Sequence, residues 1–271
     1  TPTNILIGSY AGISFNGFLQ NLTPGVFLAF IGLIIYSSLV YRKELAEAHE
    51  ASETLIKKLE EGGQITHPDH LKKAGWIGAG MLFLFIFGER IHLLPSVTAL
   101  IGATSLLLWI RPNIEEMIEA VDWTTLVFFM SLFIVVGSIQ EVGLISVIAD
   151  WIGNLVGENL LLAMIAITWL SAILSMVIAN IPFTAAMLPV IGFLTHKIPG
   201  AETGVLFFCL SVGSAMGGNG TLIGASANMV TAGIAEAAGY RISYNYFLKK
   251  GFPAVLITVA LAFIWLLIRF H

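Results

Sequence analysis

Seven long apolar runs constrain this chain more than any other feature of its sequence. They cover residues 24–41, 75–87, 95–110, 124–137, 160–179, 205–216 and 252–268. Several approach the roughly 20 residues that a helix needs to cross the hydrocarbon core of a bilayer. Only 11% of the residues are charged, against about 25% in soluble domains. A soluble fold could not cover so much apolar surface, so the sequence predicts an all-α integral membrane protein.

Two segments of the sequence repeat each other. Residues 13–24 (ISFNGFLQNLTP) return as residues 242–253 (ISYNYFLKKGFP), with six of twelve positions identical. A segment of small and polar residues that ends in Asn precedes each copy, at residues 1–4 and 225–228. An apolar span then opens at the proline that the two copies share. These agreements, in the same order twice, predict an internal repeat.

The distribution of positive charge orients the repeat in the membrane. Cytoplasmic loops collect Lys and Arg, and residues 42–73 hold six of the 13 basic residues. We therefore interpret 42–73 as a charged cytoplasmic linker, 1–41 as the tail of a first repeat and 74–271 as a second repeat. The span after the first copy then enters the cytoplasm and the span after the second copy leaves it. This inverted topology is typical of secondary transporters, and we expect the rest of the first repeat upstream of Thr1.

The outer side of the second repeat has its own pattern. Residues 138–157 alternate apolar and polar side chains at helical spacing, which predicts an amphipathic helix at the outer interface. Two apolar arms follow, at 160–179 and 181–196, and return the chain to the outside. The pattern leaves open whether these arms form a re-entrant hairpin or two thin spans.

Two segments interrupt helices at membrane depth. Proline does not continue a helix interior, and Pro182 stands between the polar Asn180 and Thr184. Residues 217–228 (GGNGTLIGASAN) combine four glycines with polar side chains. In lipid, irregular backbone is tolerated only where it lines a cavity or is buried in protein, and half-helix ends present dipoles to ions. The alternative is that the glycines serve close helix packing and that Pro182 is a kink.

We predict that the two breaks and the end of the first repeat line one ion site through neutral oxygens and dipoles. The predicted site residues are Asn180, Pro182, Thr184, Gly218, Asn219, Thr221, Ser226 and Asn228, with Thr3 and Asn4 opposite them.

Residues 217–228 resemble the signature of the ion-transporter superfamily, which includes citrate carriers and dicarboxylate/sodium symporters. Residues 122–129 (DWTTLVFF) resemble its ArsB/NhaD/P-protein branch of arsenite permeases, sodium/proton antiporters and the melanosomal P protein. The resemblance implies a re-entrant hairpin at 160–196, with Asn180 and Thr184 at its tip, that faces a broken helix at 217–228. It also implies a homodimer, and that residues 1–4 end the matching break of the first repeat. The symporters carry Ser-Asn-Thr where this chain has Ala-Asn-Ile at 179–181, which argues against a dicarboxylate.

Other polar residues are weaker candidates. His67, Asp69 and His70 have a spacing that could bind a metal, but on a polar loop we expect no site. Glu141, Asp150 and Glu236 lie near membrane segments, where we expect interfacial positions rather than proton carriers. No hydrolase motif occurs, so we expect no enzyme activity.

The sequence thus predicts a secondary transporter that moves a small inorganic ion by alternating access, as sodium/proton antiport or as efflux of arsenite or another anion. A citrate or dicarboxylate carrier, an ion channel of the same architecture and a non-transporting scaffold or membrane enzyme are the alternatives. We expect a bacterial-type inner or plasma membrane, lipid and a small ion as partners, no nucleic acid, and no cofactor beyond a coupling Na⁺ or H⁺.

Overall fold

The computed structural model describes residues 2–47, 68–91, 93–237 and 239–270. These residues form helices and contain no strand. The α-helices are α1 (Pro2–Ala11), α2 (Phe15–Val40), α3 (Arg42–Glu47), α4 (Pro68–Phe87), α5 (Pro95–Ile110), α6 (Ile114–Glu119), α7 (Trp123–Glu141), α8 (Leu144–Val156), α9 (Leu160–Ser175), α10 (Asn180–Lys197), α11 (Val205–Gly217), α12 (Ser226–Ala237) and α13 (Tyr244–Phe270). The predicted all-α class is confirmed.

Two helices are long and apolar enough to cross a membrane by length and composition. They are α2, with 26 residues, and α13, with 27. Both leave large apolar side chains exposed, such as Phe27, which is 62% exposed, and Ile268, which is 71% exposed. Shorter apolar helices, including α5, α9 and α11, accompany them. Exposed apolar surface of this extent fits contact with lipid.

The two repeat copies begin their helices in the same way. In the first copy, the Gly17 N–H donates to Ser14 Oγ at 3.0 Å. In the second, the Tyr246 N–H donates to Ser243 Oγ at 3.2 Å. Each serine therefore caps the first turn of its helix, α2 or α13. The two copies of the repeat thus begin their helices with the same serine cap. The inverted orientation of the repeat in a membrane stays a prediction.

The chain divides into two compact units. One comprises residues 1–33 and 124–271, and the other comprises residues 34–123. In the second unit, α4 packs along α5, with Met81 lying on Gly102, where a side chain would collide with it. Most of the predicted linker (residues 48–67, with His67) lies outside the described residues.

The first unit is built around α11. Its residues from Val205 to Ser214 are all buried, and α1, α9, α10 and α13 pack against it. An apolar helix that is buried all round belongs at the centre of its unit. Two glycines bring α9 close to α11, because a Cβ on Gly213 or Gly217 would collide with the backbone of α9.

The amphipathic segment differs in part from its prediction. A single helix over 138–157 was expected, but α7 continues to Glu141, and Gly143 adopts a left-handed φ of 75° before α8 begins. Glycine takes this conformation without a steric penalty, so it allows the turn. One face of α8 buries Ile152, whereas Trp151 is 62% exposed. The helix is therefore amphipathic, but shorter than predicted.

Candidate ion-binding site

The first break is a tight turn between α9 and α10. Helix α9 ends at Ser175, and α10 begins at Asn180 after Ala179, whose φ of −51° and ψ of 135° are not helical. Pro182 is the third residue of α10, in the first turn, where its missing N–H leaves no helix hydrogen bond unmade. The break is therefore at residues 176–179, and the expectation that Pro182 itself interrupts or kinks the helix is wrong.

The two polar residues of this segment lie at different depths. Asn180 is half-buried at the start of α10, whereas Thr184 is fully buried one turn further along. The Thr184 hydroxyl donates to the Asn180 carbonyl oxygen at 2.7 Å. Thr184 thus holds the first turn of α10 together.

The second break separates α11 from α12. After Gly217 the chain forms a short 3₁₀ turn at Gly218–Gly220 and then an irregular segment up to Ser226. The buried Thr221 joins this segment to the first break, because its hydroxyl donates to the Met176 carbonyl oxygen. The same hydroxyl accepts the Gly224 N–H at 3.1 Å. Thr221 therefore brings together two turns that are 45 residues apart in sequence.

Asn228 closes the second break from its other end. Its Nδ2 donates to the carbonyl oxygens of Gly218, at 3.0 Å, and Thr221, at 2.9 Å. One amide thus holds the irregular segment against the first turn of α12. Asn219 and Ser226 are exposed beside it.

Glycines make the approach of the two breaks possible. A Cβ on Gly220 would lie 2.9 Å from Met176 Cγ, and one on Gly224 would lie 3.0 Å from the Ser175 carbonyl oxygen. On α13, a Cβ on Gly251 would lie 2.8 Å from the Asn219 carbonyl oxygen. The glycines therefore do serve close packing, which was the alternative interpretation, and the packing is what places the two breaks side by side.

The end of the first repeat lies elsewhere along α11. Thr3 is fully buried, and Asn4 Oδ1 accepts a hydrogen bond from Ser211 Oγ at 2.6 Å. Ser211 precedes Gly217 by six residues, which is about 9 Å along a helix. The contact recorded for Asn4 is therefore with the body of α11, rather than with the second break.

Three serines on α9 and α11, which the sequence pattern did not single out, also make or accept hydrogen bonds here. Besides Ser211, the Ser175 hydroxyl donates to the Ser214 carbonyl oxygen at 2.7 Å, and Ser214 is itself fully buried. The available signal was the presence of hydroxyls inside the apolar runs 160–179 and 205–216. Such residues find partners across helices in membrane proteins.

The described residues of the two breaks carry no carboxylate. The nearest described acid in sequence, Glu236, is exposed and lies 4.0 Å from Arg241, while Asp150 forms an exposed ion pair with Lys197 at 2.9 Å. No group of three or more potential metal ligands occurs among the described residues. The charges nearest to the breaks on α13 are Lys249, which is exposed, and Lys250, which is half-buried.

Comparison with known proteins identifies the family. The family model described as citrate transporter matches residues 1–203, a stretch that contains α9 and α10. The chain belongs to the citrate transporter family. This confirms the resemblance to the ion-transporter superfamily and makes the protein a member of a family of secondary transporters in the membrane. No solved structure matches it.

Relatives align with this citrate transporter family member over most of its length, including the second break. An uncharacterized transporter of Mycobacterium tuberculosis is 35% identical over 270 residues, which cover 99% of this chain and 62% of the relative. An uncharacterized transporter of Synechocystis is 33% identical over 290 residues, 98% of this chain and 64% of the relative. The human P protein is 32% identical over 260 residues, 92% of this chain and 31% of the P protein. The chain thus spans less than two thirds of the length of these relatives.

Proposed function

We propose that this chain contributes one half of the transport pathway of a secondary transporter, and that the two breaks bind a small anion. The proposal combines the family, whose described cargo is citrate, with the hydrogen bonding of the breaks. In this proposal the side chains of Asn180, Thr221, Ser226 and Asn228 contact the substrate.

The observation that carries the proposal is that four carbonyl oxygens of the breaks already accept side-chain hydrogen bonds. Gly218 and Thr221 accept from Asn228, Met176 accepts from Thr221, and Asn180 accepts from Thr184. Hard cations are bound by oxygen ligands of this kind. Because each of these four carbonyl oxygens already uses one of its two lone pairs for a side-chain hydrogen bond, they have less capacity to replace the hydration shell of a cation.

Hydrogen-bond donors, by contrast, remain at the breaks. The first N–H groups of a helix have no partner within it, and α10 and α12 both begin here, at Asn180 and Ser226. Pro182 has no N–H, and the third residue of α12 already donates to Ala225, so the donors are the N–H groups of the first two residues of each helix. Helix N-termini carry a partial positive charge and bind anions readily. Lys249 and Lys250 add positive charge next to Gly251, which packs on the second break. The donors and charges of the site therefore favour an anion.

The wider mechanism follows from the predicted topology. We propose an inverted repeat in which α9 and α10 form a re-entrant hairpin, so that the site lies near the membrane midplane. Alternating access would then expose the breaks to each side in turn. The same proposal includes a homodimer, a cytoplasmic linker at residues 42–73, an inner or plasma membrane location and coupling to Na⁺ or H⁺.

Uptake into proteoliposomes that contain the full-length protein tests this function. Citrate, chloride, arsenite and sodium are offered in turn, with a pH-sensitive dye to follow proton movement. We expect uptake of an anion, and a large loss of that uptake when Thr221 is changed to Val. Sodium-driven proton movement without uptake of any anion would overturn the assignment and favour sodium/proton antiport.

The matched control is Thr231→Val on α12. Its hydroxyl donates to the Ala227 carbonyl oxygen of the same helix at 2.8 Å and is exposed. We expect this variant to transport like the wild type. Equal losses in Thr221→Val and Thr231→Val would mean that the Thr221 bond between the breaks has no special role.

A further inference from the structure

A cavity of about 560 Å³ lies at the opposite end of α10 and α11 from the breaks. Its lining residues come from the end of α1, the last turns of α10 and the start of α11: Tyr10, Ala11, Ile13, Gly192, Phe193, Thr195, His196, Glu202, Gly204 and Phe207. From Asn180 to His196 is 16 residues of α10, which is about 24 Å at the rise of an α-helix. The cavity is therefore separate from the proposed transport site.

Aromatic rings form much of the wall. Tyr10 and Phe207 contact each other, with ring centroids 6.1 Å apart and tilted by 50°. Phe193 adds a third ring, which already receives the ammonium group of Lys197 at 5.7 Å from its centroid. Aromatic faces attract cations through the negative charge of the π system. An aromatic lining of this kind can therefore contact a positive group.

Close packing keeps the wall in this arrangement. A Cβ on Gly192 would lie 2.9 Å from the Tyr10 hydroxyl oxygen, so the glycine lets the tyrosine ring lie against α10. Gly204 adopts a left-handed φ of 77° at the start of α11, and this turn sets the direction of the chain between Glu202 and Phe207. The backbone of α10 and the backbone at the start of α11 are therefore fixed on the two sides of the cavity.

The charges around the cavity are unequal. Lys197 is held by Asp150 at 2.9 Å, so that pair is nearly neutral. Glu202 lines the cavity, and among the described residues it has no ion pair. His196 also lines the cavity. The described residues of the lining thus include one carboxylate, no Lys or Arg, and three aromatic rings.

We infer that this cavity binds a monovalent organic cation with an apolar body, such as a quaternary or protonated amine. The rings would take the apolar body and the onium group, and the Glu202 carboxylate would balance its charge. An inorganic cation would gain little from three rings, and an anion would meet an unpaired carboxylate. The volume fits a ligand of the size that apolar protein pockets take.

Titration calorimetry at pH 8 with benzyltrimethylammonium and the purified full-length protein tests this inference. We expect saturable binding, weakened about tenfold by Glu202→Gln, since one opposing charge at close range is lost. Phe193→Leu should weaken binding about threefold, in the range of an exposed cation–π contact. Both residues are at least partly exposed, so we expect the variants to fold, which their thermal unfolding will show.

Matched measurements separate this site from nonspecific apolar binding. Glu158→Gln removes another exposed carboxylate, before α9 and outside the cavity lining, and should leave the affinity unchanged. Neopentylbenzene, the neutral carbon analogue of the probe, should not compete. Any one of three results would overturn the inference. They are the absence of saturable binding, equal competition by the neutral analogue, and equal losses of affinity in Glu202→Gln and Glu158→Gln.

Discussion

Replacement of Asn228 by Leu tests the hydrogen bonds that close the second break. The Asn228 side chain donates to the carbonyl oxygens of Gly218 and Thr221 at 3.0 and 2.9 Å, and both of those residues are buried. Leu has nearly the shape of Asn but no donor, so both carbonyls would lose their partner. Side-chain hydrogen bonds in membrane proteins contribute about 0.6 kcal/mol on average and up to about 1.7 kcal/mol. Two such bonds predict a loss of about 1–3 kcal/mol in the free energy of unfolding.

The free energy of unfolding is measured by titration of the full-length protein with sodium dodecyl sulfate in mixed micelles. Asn245→Leu is the matched control, because Asn245 is exposed near the start of α13. We expect this control to stay within about 0.5 kcal/mol of the wild type. If Asn228→Leu were as stable as Asn245→Leu, the two bonds would not hold the break, and the geometry derived for the site would be refuted.

Three further changes have expected outcomes. Gly217→Ala places a Cβ against the Ala172 backbone and should lower the free energy of unfolding by about 1–3 kcal/mol. The control is Gly233→Ala, because a Cβ at Gly233 meets open space, and it should be neutral or stabilising in the same titration. Ser175→Ala loses the bond to the Ser214 carbonyl oxygen and should destabilise by about 0.6–1.7 kcal/mol; no measurable change would contradict a role for that bond. Asp150→Asn should cost under about 1 kcal/mol, because the ion pair with Lys197 is exposed, and a larger loss in thermal unfolding would show that α8 depends on it.

Local pattern predicted the apolar parts of several helices but not all of their ends, since α2 begins at Phe15 and α13 at Tyr244. The apolar run at 95–110 has the same bounds as α5, and the runs at 24–41 and 252–268 largely coincide with the apolar parts of α2 and α13. The glycines and polar residues of 217–228 predicted a break, and the helix does end at Gly217. These features depend on composition over one or two turns of chain, which the sequence displays directly.

The exact place of the first break could not be predicted in the same way. Proline can break a helix interior or occupy the first turn of a helix, and the sequence around Pro182 is compatible with both. Elsewhere in the chain, Pro24, Pro189 and Pro253 lie inside α2, α10 and α13. The structure takes the second arrangement, since α10 begins at Asn180. Some hydrogen bonds join residues that are far apart in the chain. The bond between Ser211 and Asn4, for example, spans 207 positions. Such pairs depend on tertiary packing, which the helical period does not specify.

Protection of an introduced cysteine tests whether an anion binds where the two breaks meet. The one native cysteine of this chain, Cys209, is fully buried, so a maleimide should react mainly with Ser226→Cys at the exposed start of α12. Tyr240→Cys is the control, because Tyr240 is exposed beyond the end of α12. Replacement of Cys209 by Ala, and of any other native cysteine in the full-length protein, reduces the background labelling. We expect the transported anion to slow labelling of Ser226→Cys but not of Tyr240→Cys. Slowing by sodium alone, with no effect of any anion, would contradict it.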